Sequence, residues 1–196
     1  CWQLVDTAER TKRYCVQVEN CNYDRVELMV LHMVRKGLLG ELLHARCGYL
    51  HDLRGVKFSN RGEGLWRLDH SIRRNGDIYP THGLGPVAQC MNINRGNLFD
   101  HMVSMSSKAR SLKLFAEKEF GADSPMAKVD YALGDVVTSV IRTKAGETII
   151  VTHDTNSPRP YSRDIFVQGT NGVVRKYPAP KIFLEGKSPT HQWQEL

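Results

Sequence analysis

Tyr79 and His82 are the pair of side chains in this sequence best suited to chemistry. Their ordinary pKa values, about 10 and about 6.5, allow both to transfer protons near neutral pH. They are three positions apart, so they would point the same way on the first turn of a helix, where Pro80 is well tolerated. A helix that starts only at Pro86 would separate them. On spacing alone, packing by Tyr79 and a backbone hydrogen bond by His82 is the commoner arrangement.

The segment Gly48–Arg54 places an aromatic ring, an imidazole, a carboxylate and a guanidinium at the end of a predicted strand. Sites are commonly built where strands lead into loops. Alternation along the strand puts Tyr49 and His51 on one face. The competing interpretation is an ordinary amphipathic strand in which Asp52 and Arg54 pair at the surface.

Residues 157–163 form a predicted loop that two prolines stiffen. A stiff loop holds its side chains at a low entropic cost. The loop presents Arg159, Tyr161 and Arg163. A plain connector between two strands is the alternative.

Several familiar kinds of site are not supported by the sequence. The five cysteines form no Cys-x-x-Cys pair and have no metal spacing with histidine, so we expect neither a metal site nor a disulfide framework. No Gly-x-Ser-x-Gly motif indicates a serine hydrolase. A pair of glycosidase carboxylates cannot be singled out, since none of the acidic candidates stands apart: Asp52, Glu63, Asp69 and Asp77.

The composition is that of a folded globular chain. It has 196 residues, of which 41% are hydrophobic and 24% are charged. The net charge of +6 and a pI near 9.1 would suit an anionic partner. The basic residues, however, occur as isolated pairs without interleaved aromatics, so nucleic-acid binding is not expected. No run approaches the roughly 20 apolar residues of a membrane span.

The N-terminal residues predict the end of an α/β unit. Residues 2–13 have apolar side chains at helical spacing, and Tyr14–Val18 is a short β-branched run that predicts a strand. No Gly-x-Gly-x-x-Gly turn precedes this unit, so the phosphate-binding part of a dinucleotide fold is missing from the sequence. The chain also opens without Met, in the middle of a helical pattern. We therefore expect a piece of a longer protein.

The rest of the pattern predicts an α+β domain with an open, mostly antiparallel sheet and helices on one face. Helices are predicted at 26–36, from the Tyr79–Pro86 segment through about Cys90, and at 108–120, and strands at 41–50, 98–106, 136–141, 148–152, 165–167 and 173–174. Asn171-Gly172 is a strong signal for a type I′ hairpin turn. Residues 52–78 are polar and rich in Gly and Arg, which predicts a long functional or mobile loop.

Four segments are similar, in order, to glycoside hydrolase family 109, whose best-known activity is α-N-acetylgalactosaminidase. They are Glu19-Asn20-Cys21-Asn22-Tyr23 followed by Arg25, Gly48–Arg54, Tyr79–Pro86 and Ser157–Arg163. Together they extend over nearly the whole chain, and the eight-residue Tyr79–Pro86 match is the most specific. The family belongs to the Gfo/Idh/MocA oxidoreductases. The resemblance therefore implies that residues 1–22 end a truncated NAD-binding Rossmann domain. Residues 23–196 would form the α+β substrate-binding and catalytic domain, with an incomplete C-terminus.

The resemblance also implies a chemistry. NAD would be held tightly and recycled, while the sugar is oxidised at C3, loses its C1 substituent by elimination, gains water and is reduced again. This route needs proton transfer but no carboxylate pair. Tyr79 and His82 would be the catalytic pair, and Asn20 the cofactor contact. The substrate, a terminal N-acetylgalactosamine or a related sugar, would be bound by Tyr49, Arg67, Tyr79, His82 and Tyr161.

Two differences from the family pattern limit which of the family's properties can be expected of this chain. The glycine-rich NAD-binding turn is absent, so the chain alone is expected to be inactive, and Asp77 stands where the family pattern has Asn. The alternatives are an NAD(P)-dependent sugar oxidoreductase on the same scaffold and a non-enzymatic basic module that binds nucleic acid or a glycan; fold alone cannot separate them. The resemblance further suggests a homo-oligomer formed through the open sheet. It suggests a periplasmic or secreted location too, with a cytoplasmic one left open.

Overall fold

The computed structural model describes residues 2–196. It contains six α-helices: α1 Trp2–Thr11, α2 Arg25–Arg35, α3 Arg54–Lys57, α4 Trp66–Arg73, α5 Thr81–Cys90 and α6 Ser111–Phe120. It contains eight strands: β1 Leu42–Leu50, β2 Phe99–Ser106, β3 Val137–Thr143, β4 Thr148–Asp154, β5 Phe166–Gly169, β6 Gly172–Arg175, β7 Lys181–Leu184 and β8 Gln194–Glu195. A 3₁₀ helix, Asn20–Tyr23, precedes α2.

All eight strands belong to one open sheet, in the order β2-β3-β4-β1-β5-β6-β7-β8. Only β1 and β4 are parallel, with Cys47 opposite Val151, and every other neighbouring pair is antiparallel. The predicted open, mostly antiparallel sheet is therefore confirmed. Its central strand, β1, is buried over its second half and ends at Leu50.

Helices cover one face of this sheet, as the apolar spacing predicts. On one side of β1, α2 packs Val30 and Leu31 against β5, β6 and β7 through Val167, Val174 and Ile182. On the other side, α5 packs against β1, β3 and β4 through a second cluster: Ala45, Cys47, Val87, Met91, Ile141, Ile149, Val151 and Ile165. Burial of these apolar side chains stabilises the two layers and fixes the helices relative to β1.

The opposite face and the β2 edge remain open. Val103 and Val140 lie opposite each other on β2 and β3, and they are 65% and 38% exposed. Met105, two residues along β2, is 80% exposed. A homo-oligomer formed through this face stays a prediction. Among residues 2–196, none of the helices has both the length and the apolar character that a bilayer crossing needs.

The predicted strand at residues 14–18 is not formed. These residues are extended but unpaired, and Val16 and Val18 are 73% and 67% exposed. A strand is stabilised by hydrogen bonds to a neighbour, and no neighbouring strand lies beside this segment among the residues that the structure describes. The preceding helix, α1, is confirmed, but none of its residues is buried.

The prediction of a long loop over residues 52–78 is wrong, since α3 and α4 lie within it. Their apolar stripe is narrow: Leu68 and Ile72 of α4 pack with Tyr131 and Leu112 in a small separate cluster. A helix with so few apolar residues gives little periodic signal in a sequence. The last two strands, β7 and β8, were not predicted either.

The predicted hairpin at Asn171-Gly172 forms, but its type I′ turn does not. The turn residues are Thr170 and Asn171, and neither has the positive φ that type I′ requires. Gly172 meets another need, because a Cβ there would lie 2.5 Å from the Phe183 carbonyl oxygen of β7.

Candidate active site

Two glycines bring the start of α5 onto the end of β1. A Cβ at Gly83 would lie 2.4 Å from the backbone nitrogen of Gly48, so only glycine allows this approach of the two backbones. Tyr79 and His82 flank the contact on one side, and Tyr49 follows it on the other. Pro80 caps the helix and Pro86 lies inside it, so the helix starts before His82, as the Tyr79–His82 hypothesis requires.

The predicted aromatic residues converge. The Tyr49 ring centroid lies 5.1 Å from that of Tyr79 and 5.1 Å from that of His82, and the Tyr79 and His82 rings are 4.8 Å apart. Tyr161, on the proline-stiffened loop, lies 6.4 Å from Tyr49 and 4.9 Å from His51. Ring faces and hydroxyls grouped in this way can stack on a sugar and hydrogen-bond its hydroxyls. We call the ring cluster formed by Tyr49, Tyr79, His82 and Tyr161 the aromatic cleft.

Arg67, another predicted sugar contact, lies against this cleft. Its guanidinium carbon is 4.8 Å from the centre of the Tyr79 ring and 4.3 Å from that of Trp66. The residue is 4% exposed, and its Nε donates to Glu63 at 2.6 Å. Its Nη1 is buried without a hydrogen-bond partner among the described residues. A buried donor left free in this way is suited to a ligand oxygen.

The Tyr161 loop is anchored by a buried ion pair at its end. Arg163, 4% exposed, contacts Glu27 of α2 at 2.7 Å and also pairs with Asp24. The loop also forms a bridge in which Ser162 and Leu50 exchange backbone hydrogen bonds of 2.8 and 2.9 Å. Rather than being a plain connector, the loop is held against β1 with Tyr161 over the cleft. Breaking such a buried ion pair costs about 3–5 kcal/mol.

The Tyr49 and Tyr161 phenols stay protonated at neutral pH. Burial raises the pKa of Tyr161 to about 12, and burial also raises the pKa of Tyr49. Both hydroxyls can therefore donate hydrogen bonds to a ligand. His51, whose pKa is lowered by burial and by nearby Arg67, is a neutral partner for the Tyr49 hydroxyl, 3.2 Å from its Nδ1.

Glu19 contacts His82, a pairing that the sequence analysis missed. Its Oε1 lies 2.6 Å from His82 Nδ1 and also accepts the backbone N–H of Cys21 at 2.9 Å. Burial alone would raise the pKa of Glu19, but these two hydrogen bonds outweigh it and hold that pKa below its ordinary value. Glu19 directly precedes Asn20 in the segment that carries the family resemblance, and that adjacency was the available signal.

The same corner contains the one metal-like grouping found among the described residues. Ligand atoms of Glu19, Cys21 and His82 lie within 4.8 Å of one another. A metal would need the Cys21 thiolate. Burial raises the pKa of that thiol to about 11, and His82 Nδ1 is already engaged by Glu19. These features disfavour a metal ion here.

Asn20, the predicted cofactor contact, begins the 3₁₀ helix and is exposed at the rim beside Glu19. A groove of about 320 Å³ runs from Gln17 and Asn22 along the outer side of α5. The Asn22 Oδ1 atom is buried without a hydrogen-bond partner in the described chain. Glu19 and Thr81, which directly precede Asn20 and His82 in the chain, line this groove.

Asp52 and Arg54 do not join the aromatic cleft. They pair with each other, as the competing interpretation proposed, with Arg54 Nη2 2.7 Å from Asp52 Oδ2.

Asp77 has only one of its two carboxylate oxygens in a hydrogen bond among residues 2–196. Its Oδ1 accepts the Tyr79 N–H at 2.8 Å, whereas its buried Oδ2 has no partner among residues 2–196, and burial raises its pKa to about 6. It faces a separate cavity of about 430 Å³ that Leu84 and Ile141 also line.

A buried polar network lies behind Arg67, formed by Lys57, Ser71 and Asn156. Lys57 Nζ donates to Ser71 Oγ at 3.0 Å and to Asn156 Oδ1 at 2.5 Å. Ser71 in turn donates to the Arg67 carbonyl at 2.7 Å. Burial, followed by repulsion from Arg67, lowers the pKa of Lys57 to about 7. The network links α3, α4 and the end of β4 and so holds Arg67 in place.

Residues 23–196 match the family description "Glycosyl hydrolase 109, C-terminal domain". This chain belongs to glycoside hydrolase family 109. It is similar to a Shewanella oneidensis protein named "Alpha-N-acetylgalactosaminidase", with 55% identity over 197 residues that cover 98% of this chain and 43% of that protein. A family 109 protein of Shewanella pealeana is 53% identical over 196 residues, with the same two coverages. The chain thus spans less than half the length of the curated relatives that it matches.

Solved structures of oxidoreductases share the fold of this family 109 chain. An NAD binding oxidoreductase from Klebsiella pneumoniae superposes with a TM-score of 0.68 at 14% identity, over 100% of this chain and 49% of that one. An inositol dehydrogenase homolog from Azotobacter vinelandii, complexed with NADH and myo-inositol, gives a TM-score of 0.64 at 14% identity. This superposition covers 98% of this chain and 45% of the inositol dehydrogenase homolog.

Proposed function

We propose that the intact protein is an NAD-dependent glycosidase that removes terminal N-acetylgalactosamine or a related sugar by transient oxidation at C3. The observation that carries this proposal is the convergence of Tyr49, Tyr79, His82 and Tyr161 on one aromatic cleft, with the free donor of Arg67 beside it. Membership of family 109 and the name of the Shewanella oneidensis relative support the same activity.

The carboxylates near the cleft support a route without the usual glycosidase pair. That pair needs one carboxylic acid that stays protonated, with a raised pKa. The pKa of Glu63 is lowered by its hydrogen bond from Arg67, and the pKa of Glu19 is also lowered. Asp77 has a raised pKa but lines the neighbouring cavity, so no suitable acid is found at the cleft among the described residues.

The residues of this chain fit a bound nicotinamide and a sugar side by side. When bound, NAD would accept a hydride from C3 and later return it, and the ketone present in between acidifies the C2 proton, whose loss expels the C1 substituent. Asn20 and the groove beside it would hold the nicotinamide end. Tyr49 and Tyr161 would contact the sugar, and the Arg67 Nη1 donor would bind one of its oxygens.

His82 and Tyr79 would move the protons. Glu19 engages His82 Nδ1, so Nε2 would be the atom that takes up a proton and gives it back. The Tyr79 hydroxyl, which belongs to the same aromatic group, can donate to an oxygen that becomes negatively charged. A positioned acid–base group of this kind accelerates a reaction by about 10²–10⁴-fold.

The experiment that tests the proposal uses the intact protein with an aryl N-acetylgalactosaminide and catalytic NAD. We expect release of the aryl alcohol over many turnovers, with no net change in the nicotinamide absorbance. Stoichiometric build-up of NADH without aryl release would refute the glycosidase. It would support the second candidate, a sugar oxidoreductase, which the fold shared with NADH-bound dehydrogenases favours. A result with neither aryl release nor NADH formation would refute both candidate activities.

A further inference from the structure

The carboxylate of Glu19 is the one acidic group in hydrogen-bond contact with His82 among the described residues. We propose that Glu19 is the positioning residue for His82: it fixes the imidazole orientation, keeps the proton on Nδ1 and leaves Nε2 as the atom that exchanges protons with the substrate. The inference rests on the proposed function and adds a residue and a tautomer to it.

The geometry around Glu19 holds its carboxylate in one place. Oε1 receives both His82 Nδ1 at 2.6 Å and the Cys21 N–H at 2.9 Å, so it is fixed from two sides. Gly85 makes room for the stem, because a Cβ there would lie 3.1 Å from Glu19 Cγ. The side chains of Glu19 and His82 are only 10% and 15% exposed, so water competes little for the hydrogen bond.

The charge state of Glu19 then decides which nitrogen of His82 has the proton. An ionised carboxylate only accepts hydrogen bonds, and the hydrogen bonds to Cys21 and His82 hold the pKa of Glu19 below its ordinary value. Nδ1 must therefore be the protonated nitrogen in the neutral ring. His82 makes its side-chain hydrogen bonds within residues 2–196 through Nδ1 alone, so the Nε2 lone pair is free for the substrate.

The Glu19 carboxylate would also stabilise the protonated state of His82 during turnover. When Nε2 takes a proton from the substrate, the ring becomes an imidazolium whose positive charge faces the Glu19 carboxylate. The proton remains on Nε2 until it returns to the sugar or passes to water, and Glu19 stays ionised throughout. The same division of labour, in which a carboxylate orients a histidine that does the proton transfer, recurs on unrelated folds.

The first test determines the tautomer directly by ¹⁵N NMR of histidine-labelled intact protein with NAD bound. We expect His82 to be protonated on Nδ1 in the wild type. In Glu19→Met, which leaves no acceptor for a proton on Nδ1, we expect the proton to move to Nε2. A wild-type His82 protonated on Nε2 would overturn the inference. This measurement does not use the reaction, so it remains decisive even if the proposed glycosidase activity is not found.

The second test is kinetic. Glu19→Met is expected to lower kcat by roughly 10²–10⁴-fold, the size of the effect when a histidine is held in the wrong tautomer, while KM changes by less than about threefold. Glu19→Asp keeps the charge but is one methylene too short, so it should lower kcat as well. Glu41 is an exposed glutamate at the far end of β1, and Glu41→Met is the matched control that should leave kcat unchanged. A Glu19→Met enzyme with wild-type kcat would contradict the proposal.

Discussion

The aromatic cleft and the buried polar network lie on two sides of Arg67 and use polar groups in opposite ways. In the network, Lys57, Ser71 and Asn156 bond to one another, and Ser71 bonds to the Arg67 backbone. At the cleft, the Arg67 Nη1 donor has no partner within the described chain. A buried polar group whose hydrogen bonds are all made stabilises the fold, whereas one with a bond left over is available to a ligand. The comparison predicts that cleft variants lose activity and network variants change stability.

The largest expected effect is that of His82→Ala on activity. Removing the proton-transferring ring should lower kcat of the intact enzyme by about 10²–10⁴-fold. Since Glu19 keeps its hydrogen bond from the Cys21 N–H when the ring is removed, the loss in melting temperature should be small beside the loss of activity. Steady-state kinetics and thermal unfolding measure the two outcomes. A kcat loss of less than about threefold would show that His82 is not the proton-transferring group. The functional contrast between the aromatic cleft and the buried polar network would then not hold.

The next effect tests the network through its lysine. Burial lowers the pKa of Lys57 to about 7 from the ordinary value of 10.5. Between those pH values the unfolded chain binds more protons than the folded one, so this group makes the free energy of unfolding rise with pH. Lys57→Met removes the contribution. The stability of the wild type relative to the variant should therefore increase from pH 7 towards pH 10, by up to about 1.4 kcal/mol per pH unit.

Urea unfolding of both intact proteins across that pH range measures this difference. Lys187→Met, in which an exposed lysine is replaced, is the control and should show no such pH dependence. A stability difference for Lys57→Met that stays constant from pH 7 to pH 10 would show that Lys57 titrates as an ordinary lysine. The contrast between the network and the cleft would then lose its electrostatic basis.

The smallest effect concerns Asp77, which combines features of both regions because it is largely buried yet has one oxygen without a partner. Burial raises its pKa from 3.8 to about 6. Between those values the folded state holds the extra proton, so this group's contribution to stability falls as pH rises and is lowest above pH 6. Asp77→Asn keeps the acceptor for the Tyr79 N–H and removes the charge. We expect it to stabilise the intact protein by about 1–2 kcal/mol at pH 8, with the gain disappearing near pH 4.

Melting temperatures of wild type and Asp77→Asn at several pH values measure that gain. Asp130→Asn, at a fully exposed aspartate, serves as the control and should be neutral at every pH. If Asp77→Asn destabilises the protein at pH 8, the buried carboxylate has a stabilising partner in the intact enzyme. The residue would then belong with the satisfied groups of the network.

The helices and strands with a clear period could be predicted from the sequence. The apolar stripes of α2 and α6 and the alternating β3 and β4 were predicted nearly at their observed bounds, because burial on one face leaves a 3.6- or 2-residue pattern. Residues 14–18 show the limit of such patterns. Their β-branched run has strand propensity, but a strand forms only when a second strand lies beside it.

Local sequence also determined which residues had the right chemistry for the site: Tyr49, Tyr79, His82 and Tyr161 were all chosen by type and by motif. Their convergence was decided by the tertiary structure, through the Gly83–Gly48 contact and the buried Arg163–Glu27 ion pair. Glu19 and His82 are 63 positions apart, and Lys57 and Asn156 are 99 apart. A pairing across such distances leaves no local pattern, because only packing brings the two side chains together. The sequence thus supplied the reacting groups, and the fold supplied their partners.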